Sequence, residues 1–269
     1  MAKVTEEARQ TYAEQIAVYQ QQIDALLIRE KNMLMMIEKD ANGASYKRLM
    51  LTDEMLFLTT LYLSKHWLSL SLLSVKNEDA LNDARKTLYK AVIYLEEVVS
   101  NFIDVPYADY EERVEEIRNL PEAKRYYLIR KLGLAIRMVV DAYGDNTKWR
   151  WTFVELEARF ATVAKNILDL KTASKNGLDP RSPEYDDTVY HLRLVKRLLQ
   201  QAADRYREKY ELSTGRIDDF RLAINYLLAL RRIHIILNER DDAEEAKKKA
   251  DIWKEKMEKD HKKSEAQKK

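Results

Sequence analysis

Apolar residues recur at alternating spacings of three and four along most of this chain, and that regularity excludes most folds. Such spacing lays side chains along one stripe of an α-helix. A half-buried strand would need alternation with period two, and no stretch of the sequence has it. Trp149, Phe153, Leu156, Phe160, Val163, Ile167 and Leu170 form one unbroken seam. Leu81, Ala84, Leu88, Ala91, Leu95, Val98 and Phe102 form another, and Leu192, Val195, Leu199, Ala202 and Tyr206 a third. Five glycines and four prolines in 269 residues are too few for the frequent turns of a sheet-rich protein. The expectation is an all-α fold of seven to nine helices in antiparallel α-hairpins, arranged as an irregular bundle or a short α-solenoid.

Two predicted helices, about 46–75 and 217–238, carry apolar residues on more than one face, which predicts that other helices surround them. In the first, Phe57, Leu61, Leu68, Leu72 and Val75 share one stripe, and Leu56, Leu63, Trp67 and Leu70 another. Residues 56–75 have the length of a membrane span, but Lys65 and His66 stand at their centre. A central lysine costs roughly 2.5–3.5 kcal/mol on insertion scales, so a buried helix is expected and no membrane span. Local signals mark helix starts at Thr5, at Asn77 and at Ser182-Pro183-Glu184. The clearest break is "KTASKNGLDPRSP", 171–183. It divides the expected organisation into an N-terminal helical bundle, 1–173, and C-terminal hairpins packed on it, 182–260, with a frayed basic tail, 261–269.

Forty-seven basic and 45 acidic residues leave a formal charge of +2, which supplies no net field for nucleic acid or anionic lipid. The absence of cysteine removes disulfides, thiol catalysis and cysteine metal sites, and suits a cytoplasmic protein. Histidines 66, 191, 234 and 261 fall on four separate predicted helices, and no His-Glu-x-x-His occurs. Asp187 and His191, four apart, read as an exposed ion pair. Neither a glycine-rich phosphate loop nor a Gly-x-Ser-x-Gly elbow is present. No catalytic residue, metal ligand or cofactor is therefore expected.

Two surfaces are candidates for binding. In "KRYYLIRKLGLAIR", Tyr126, Arg130 and Arg137 share the face opposite the core seam, and Arg193 and Arg197 add a second basic surface. Aromatics beside arginines suit phosphate or a nucleic-acid strand; pairing of those arginines with Glu111, Glu112, Glu115 and Glu116 is the alternative. For protein binding, the seam Tyr12, Ile16, Tyr19 and Ile23 implies a long partner helix. Trp151 lies two positions from Trp149, so a helix places it opposite the core with Glu155, Ala158, Thr162, Lys165 and Asp169. It anchors a partner, lies under another helix of the same chain, or packs locally before a capping box formed by Thr152 and Glu155.

"LALRRIHIILNERDDAEEAKKKADIWKEK", 228–256, resembles the helix–turn–helix of a tetratricopeptide-type repeat, especially in "ERDDAEEA". His234 and Trp253 stand where that family has small residues, and no 34-residue period follows. The resemblance covers one repeat and implies binding of peptides or partner proteins. Taken together, these features predict a non-enzymatic scaffold or adaptor that binds another protein or itself. A nucleic-acid or phosphate-binding module is the first alternative, and an enzyme whose site leaves no local motif is the second.

Overall fold

The computed structural model describes residues 4–145 and 147–266, with side chains described through residue 262. Among the described residues there are ten α-helices and no strand, so the fold is all-α. None of these helices is long and apolar enough to cross a membrane. The chain divides into two compact units, Met1–Val98 with Leu128–Thr147, and Val99–Tyr127 with Lys148–Lys269. Segment 171–183, read from the sequence as the boundary, falls inside the second unit.

In the first unit, α1 (Glu6–Lys39) packs along α2 (Ala44–Leu73). Thr5 caps α1 as expected, its hydroxyl accepting from the Ala8 N–H at 3.1 Å. Gly43 turns the chain at φ +66°, where a side chain would be strained. The hairpin is antiparallel: Arg29 pairs with Glu54 at 2.7 Å, and farther from the turn Lys65 donates to Gln20 at 2.8 Å. Asn77 caps α3 (Glu78–Val99) by accepting from Ala80 N–H at 2.9 Å. Glu30 interrupts the apolar seam of α1 and is buried. It accepts from Lys90 Nζ at 2.8 Å and Tyr94 Oη at 2.6 Å, both on α3. A buried carboxylate held this way is compensated, and it fixes the register of α1 on α3.

Helix α2 departs from the expectation that it is enclosed. Leu51, Met55, Leu56, Leu58 and Leu63 are buried, but Met50, Phe57, Trp67 and Leu70 are 41–50% exposed. His66, by contrast, is 1% exposed, and its Nδ1 has no hydrogen-bond partner.

The second unit holds α4 (Glu111–Glu116), the first turns of α5 (Glu122–Tyr143), α6 (Arg150–Asn166), α7 (Leu170–Asn176), α8 (Tyr185–Lys209), α9 (Ile217–Ile236) and α10 (Arg240–Ala266). The tenth helix arises because the seam that reads as one helix to about 173 breaks at Ile167–Asp169. Asp169 turns extended and its carboxylate accepts from the N–H groups of Lys171 and Thr172, which starts α7. Farther on, Glu184 rather than Ser182 precedes the first residue of α8. The end of α8 continues as a π-helical turn, Tyr210–Thr214, closed at Gly215.

Helix α6 is the most enclosed element. Every residue from Phe160 to Leu168 is buried. Several of its polar groups find internal partners, although the Asn166 Oδ1 has none among the described residues. Tyr226 Oη of α9 donates to Ala158 O at 2.9 Å and meets Thr162 Oγ1 at 3.0 Å. Asn166 Nδ2 donates to Ser100 O and Phe102 O, both at 3.0 Å. Arg125, 4% exposed, spends its guanidinium on three backbone carbonyls: Ile117 at 3.0 Å, Leu120 at 2.9 Å and Ile167 at 2.7 Å. Those carbonyls follow the ends of α4 and α6, where helical acceptors lack partners. His191 is fully buried and faces Glu122 at 2.5 Å and Ala164 O at 3.0 Å, while Asp187 is half-buried. The expected Asp187–His191 surface pair is therefore replaced by a buried pair from a distant part of the sequence.

Candidate functional site

Helices α8, α9 and α10 enclose a groove of about 500 Å³. Each contributes one face at helical spacing. Lys196, Gln200 and Asp204 come from α8, Leu230 and His234 from α9, and Asp242, Glu245, Ala246 and Lys249 from α10. Ala243, Ala246 and Ala250 let α10 approach α9 closely, all three being buried. Polar groups line most of the groove. Asp204 accepts from Lys249 at 2.9 Å and from Gln200 at 2.7 Å.

The turn between α9 and α10 assembles the densest cluster of ionisable groups on this groove. Asn238 adopts φ 57°, a left-handed conformation that asparagine tolerates. Its N–H bonds Ile235 O at 3.1 Å, and the Glu239 N–H bonds His234 O at 2.9 Å. This closure brings the Glu239 side chain back beside His234. Glu239 Oε2 lies 2.6 Å from His234 Nδ1, and Asp242 Oδ2, in the first turn of α10, lies 3.9 Å from it. Lys196 takes the other Glu239 oxygen, at 2.7 Å. Burial raises the Glu239 carboxyl pKa, but hydrogen bonds from Lys196 and His234 outweigh it and hold the group below the usual range.

A second set of buried ionisable groups lies around α6. Lys165 is 3% exposed, its Nζ 3.4 Å from Tyr110 Oη and 4.7 Å from the centre of that ring. Burial, only partly offset by Asp104, lowers its pKa to about 7. Asp104 itself pairs with Arg232. A lysine buried to this degree bears on stability.

The residues singled out from the sequence fall elsewhere. Ile23 is 1% exposed and belongs to the core, whereas Tyr12, Ile16 and Tyr19 are half-buried along α1. Trp151 is half-buried, with the Arg150 guanidinium 4.8 Å over its ring and Arg150 paired to Glu208 at 2.5 Å. The capping box does not form: Trp149 precedes the helix, and Thr152 N–H donates to Trp149 O at 2.9 Å. Ala158, Thr162 and Lys165, on the same side as Trp151, are buried within the second unit. Tyr126 packs against the His191 ring at 5.5 Å. Arg193 and Arg197 are exposed on α8, and neither has an ion-pair partner among the described residues. Arg137 lies 3.8 Å from Asp141, and Arg130 is exposed. Tyr126, Arg193 and Arg197 belong to the second unit, Arg130 and Arg137 to the first. Of the expected glutamate partners, Glu111 pairs with Lys171 and Glu115 with Arg118.

Sequence reading missed the His234–Glu239–Asp242 cluster because it searched for ligands on one helix face. The available signal was "HIILNERDD", a histidine ending one helix and acids opening the next across a turn of two or three residues. Residues 8–261 match the model of the TP0443 family. No curated protein matches the chain.

Proposed function

This chain belongs to the TP0443 family, and we propose that it is a non-enzymatic helical scaffold that binds another protein. One observation carries the reading: the exposed apolar face of α2. Met50, Phe57 and Trp67 lie within about 100° of one another around the helix and span about 25 Å along it; each is 46–50% exposed. The hydroxyls between and beyond them are turned back onto the helix. Thr60 donates to Phe57 O at 2.7 Å, Ser64 to Thr60 O at 2.9 Å, and Ser71 to Leu68 O at 3.1 Å. Polar residues on this strip therefore offer little to water, and the strip behaves as more apolar than its composition. An aromatic pair on such a face suits an apolar surface of a partner protein. The resemblance of 228–256 to a tetratricopeptide-type repeat points the same way, since such repeats often bind peptides or partner proteins. A cytoplasmic setting agrees with a cysteine-free chain.

The test compares wild type with Phe57→Ser plus Trp67→Ser in nuclease-treated pull-downs and in sedimentation equilibrium. A partner lost with the double substitution supports the reading, and self-association lost with it assigns the face to a second copy. Identical partners and identical mass for both proteins would overturn it. The exposed Arg193 and Arg197 favour one second reading, an anion or nucleic-acid site on α8. It requires binding that weakens steeply with salt and is lost in Arg193→Ala plus Arg197→Ala.

A further inference from the structure

Three lone-pair donors converge at the α9–α10 turn, and no cation among the described residues is paired with all of them. His234 Nδ1 faces Glu239 Oε2 at 2.6 Å and Asp242 Oδ2 at 3.9 Å, and the three ligand atoms lie within 4.8 Å of one another. A proton on Nδ1 serves Glu239 and leaves Asp242 beyond hydrogen-bond range. Among the described residues, Asp242 has no closer partner than that 3.9 Å contact. His234 is 8% exposed, yet its Nε2 has no hydrogen-bond partner among the described residues, and the side chain lines the groove. A histidine whose second nitrogen is left to a polar groove, with its first nitrogen aimed at two carboxylates, has the arrangement of a ligand rather than of a core residue.

Distances and charge agree. Tetrahedral ligands at about 2.1 Å from zinc are about 3.4 Å apart, and the two observed separations, 2.6 and 3.9 Å, bracket that value. Lys196 holds the remaining Glu239 oxygen at 2.7 Å and so presents Oε2 to the site. It acts as the outer partner that orients a ligating carboxylate. Asp204 and Glu245 add negative charge along the groove, against Lys196 and Lys249. One imidazole and two carboxylates suit a divalent ion of the zinc and manganese class, whereas magnesium and calcium prefer oxygen alone.

We propose that His234 Nδ1, Glu239 Oε2 and Asp242 Oδ2 bind one divalent transition-metal ion of the zinc class, whose open coordination positions face the groove between α8 and α10. Bound there, the ion clamps the end of α9 to the start of α10 and leaves room for an exchangeable water or an anionic group. The proposal does not depend on the scaffold reading, which concerns α2.

The test is titration of chelator-treated, full-length protein with Zn²⁺ alone, read by calorimetry and by thermal unfolding. The expected result is a single Zn²⁺ per chain, an upward shift in Tm on binding, and retention against excess Mg²⁺. Asp242→Asn lies on the surface and should leave the fold intact while weakening binding at least about tenfold and abolishing the Tm shift. Glu239→Gln should weaken it similarly, whereas His261→Asn should change nothing. Three results would each overturn the proposal: no saturable binding, binding unaffected by Asp242→Asn, or binding lost with His261→Asn. Displacement by Mg²⁺ would overturn the assigned metal class.

Discussion

Helices α2 and α6 exchange the roles that their compositions suggest. Helix α2 is apolar on nearly every side, but Met50, Phe57, Trp67 and Leu70 face solvent. Helix α6 carries Arg150, Glu155, Glu157, Arg159, Lys165 and Asn166, yet from Phe160 onward it is wholly buried. The difference is made by neighbours. Tyr226, Arg125 and Tyr110 bring hydrogen bonds or an aromatic face to the polar groups in and around α6. The apolar strip of α2 has no such cover. Enclosure of a helix thus depends on whether its polar groups find partners, because an unpartnered buried one costs more than an exposed leucine.

The largest expected effect tests that enclosure. Arg125→Met removes the side-chain donor from the carbonyls of Leu120 and Ile167 and leaves Ile117 O with only the Leu120 N–H, and should cost about 3 kcal/mol or more in urea unfolding. Arg125→Lys should recover only part, since an ammonium cannot span three acceptors.

Lys165 tests the same helix in the opposite direction. Its pKa falls from 10.5 to about 7 on folding, so between those values the unfolded chain holds the extra proton. Stability from this group rises as pH increases from 7 to 10.5, and the penalty is complete below pH 7. Lys165→Met should stabilise the protein at pH 7 by about 1–4 kcal/mol. The mutant's advantage should shrink as both proteins are unfolded at successively higher pH. An advantage independent of pH would mean that packing, not charge, makes the difference.

His66 gives α2 a smaller liability. Burial lowers its pKa from 6.5, outweighing a backbone hydrogen bond involving Asn77. The folded protein keeps the imidazole neutral while the unfolded chain takes up a proton below pH 6.5. Stability is therefore lost as pH falls through that value. In His66→Leu, the drop in Tm between pH 7 and pH 5.5 should be smaller than in wild type.

The smallest effect belongs to the exposed strip. Phe57→Ser alone should change unfolding free energy by only about 1 kcal/mol, because the side chain is already half in water. A loss of several kcal/mol would show that α2 is covered after all, and would remove the comparison with α6.

Much of the local structure was legible before any coordinates. Thr5 and Asn77 cap where their side chains predict, because a cap needs only four consecutive residues. The seam from Phe153 to Leu170 is buried throughout, as its period requires. Boundaries set by competing signals were less legible: Asp169 opens a new helix where the apolar period runs on, and Thr152 does not cap. Of the candidate site residues, Ile23 reads as an interaction residue and is core, for the seam of α1 is covered along only part of its length.

What the sequence determined alone is the all-α class, the helix stripes and most helix starts, since each depends on contacts within a few residues. Tertiary structure decided which stripes are covered, and it paired Glu30 with Lys90 and Glu122 with His191. It also brought His234, Glu239 and Asp242 together on a groove that α8 helps to line. Those outcomes depend on the free energy of pairing groups far apart in the chain, and no periodicity in one segment records which partner another segment will bring.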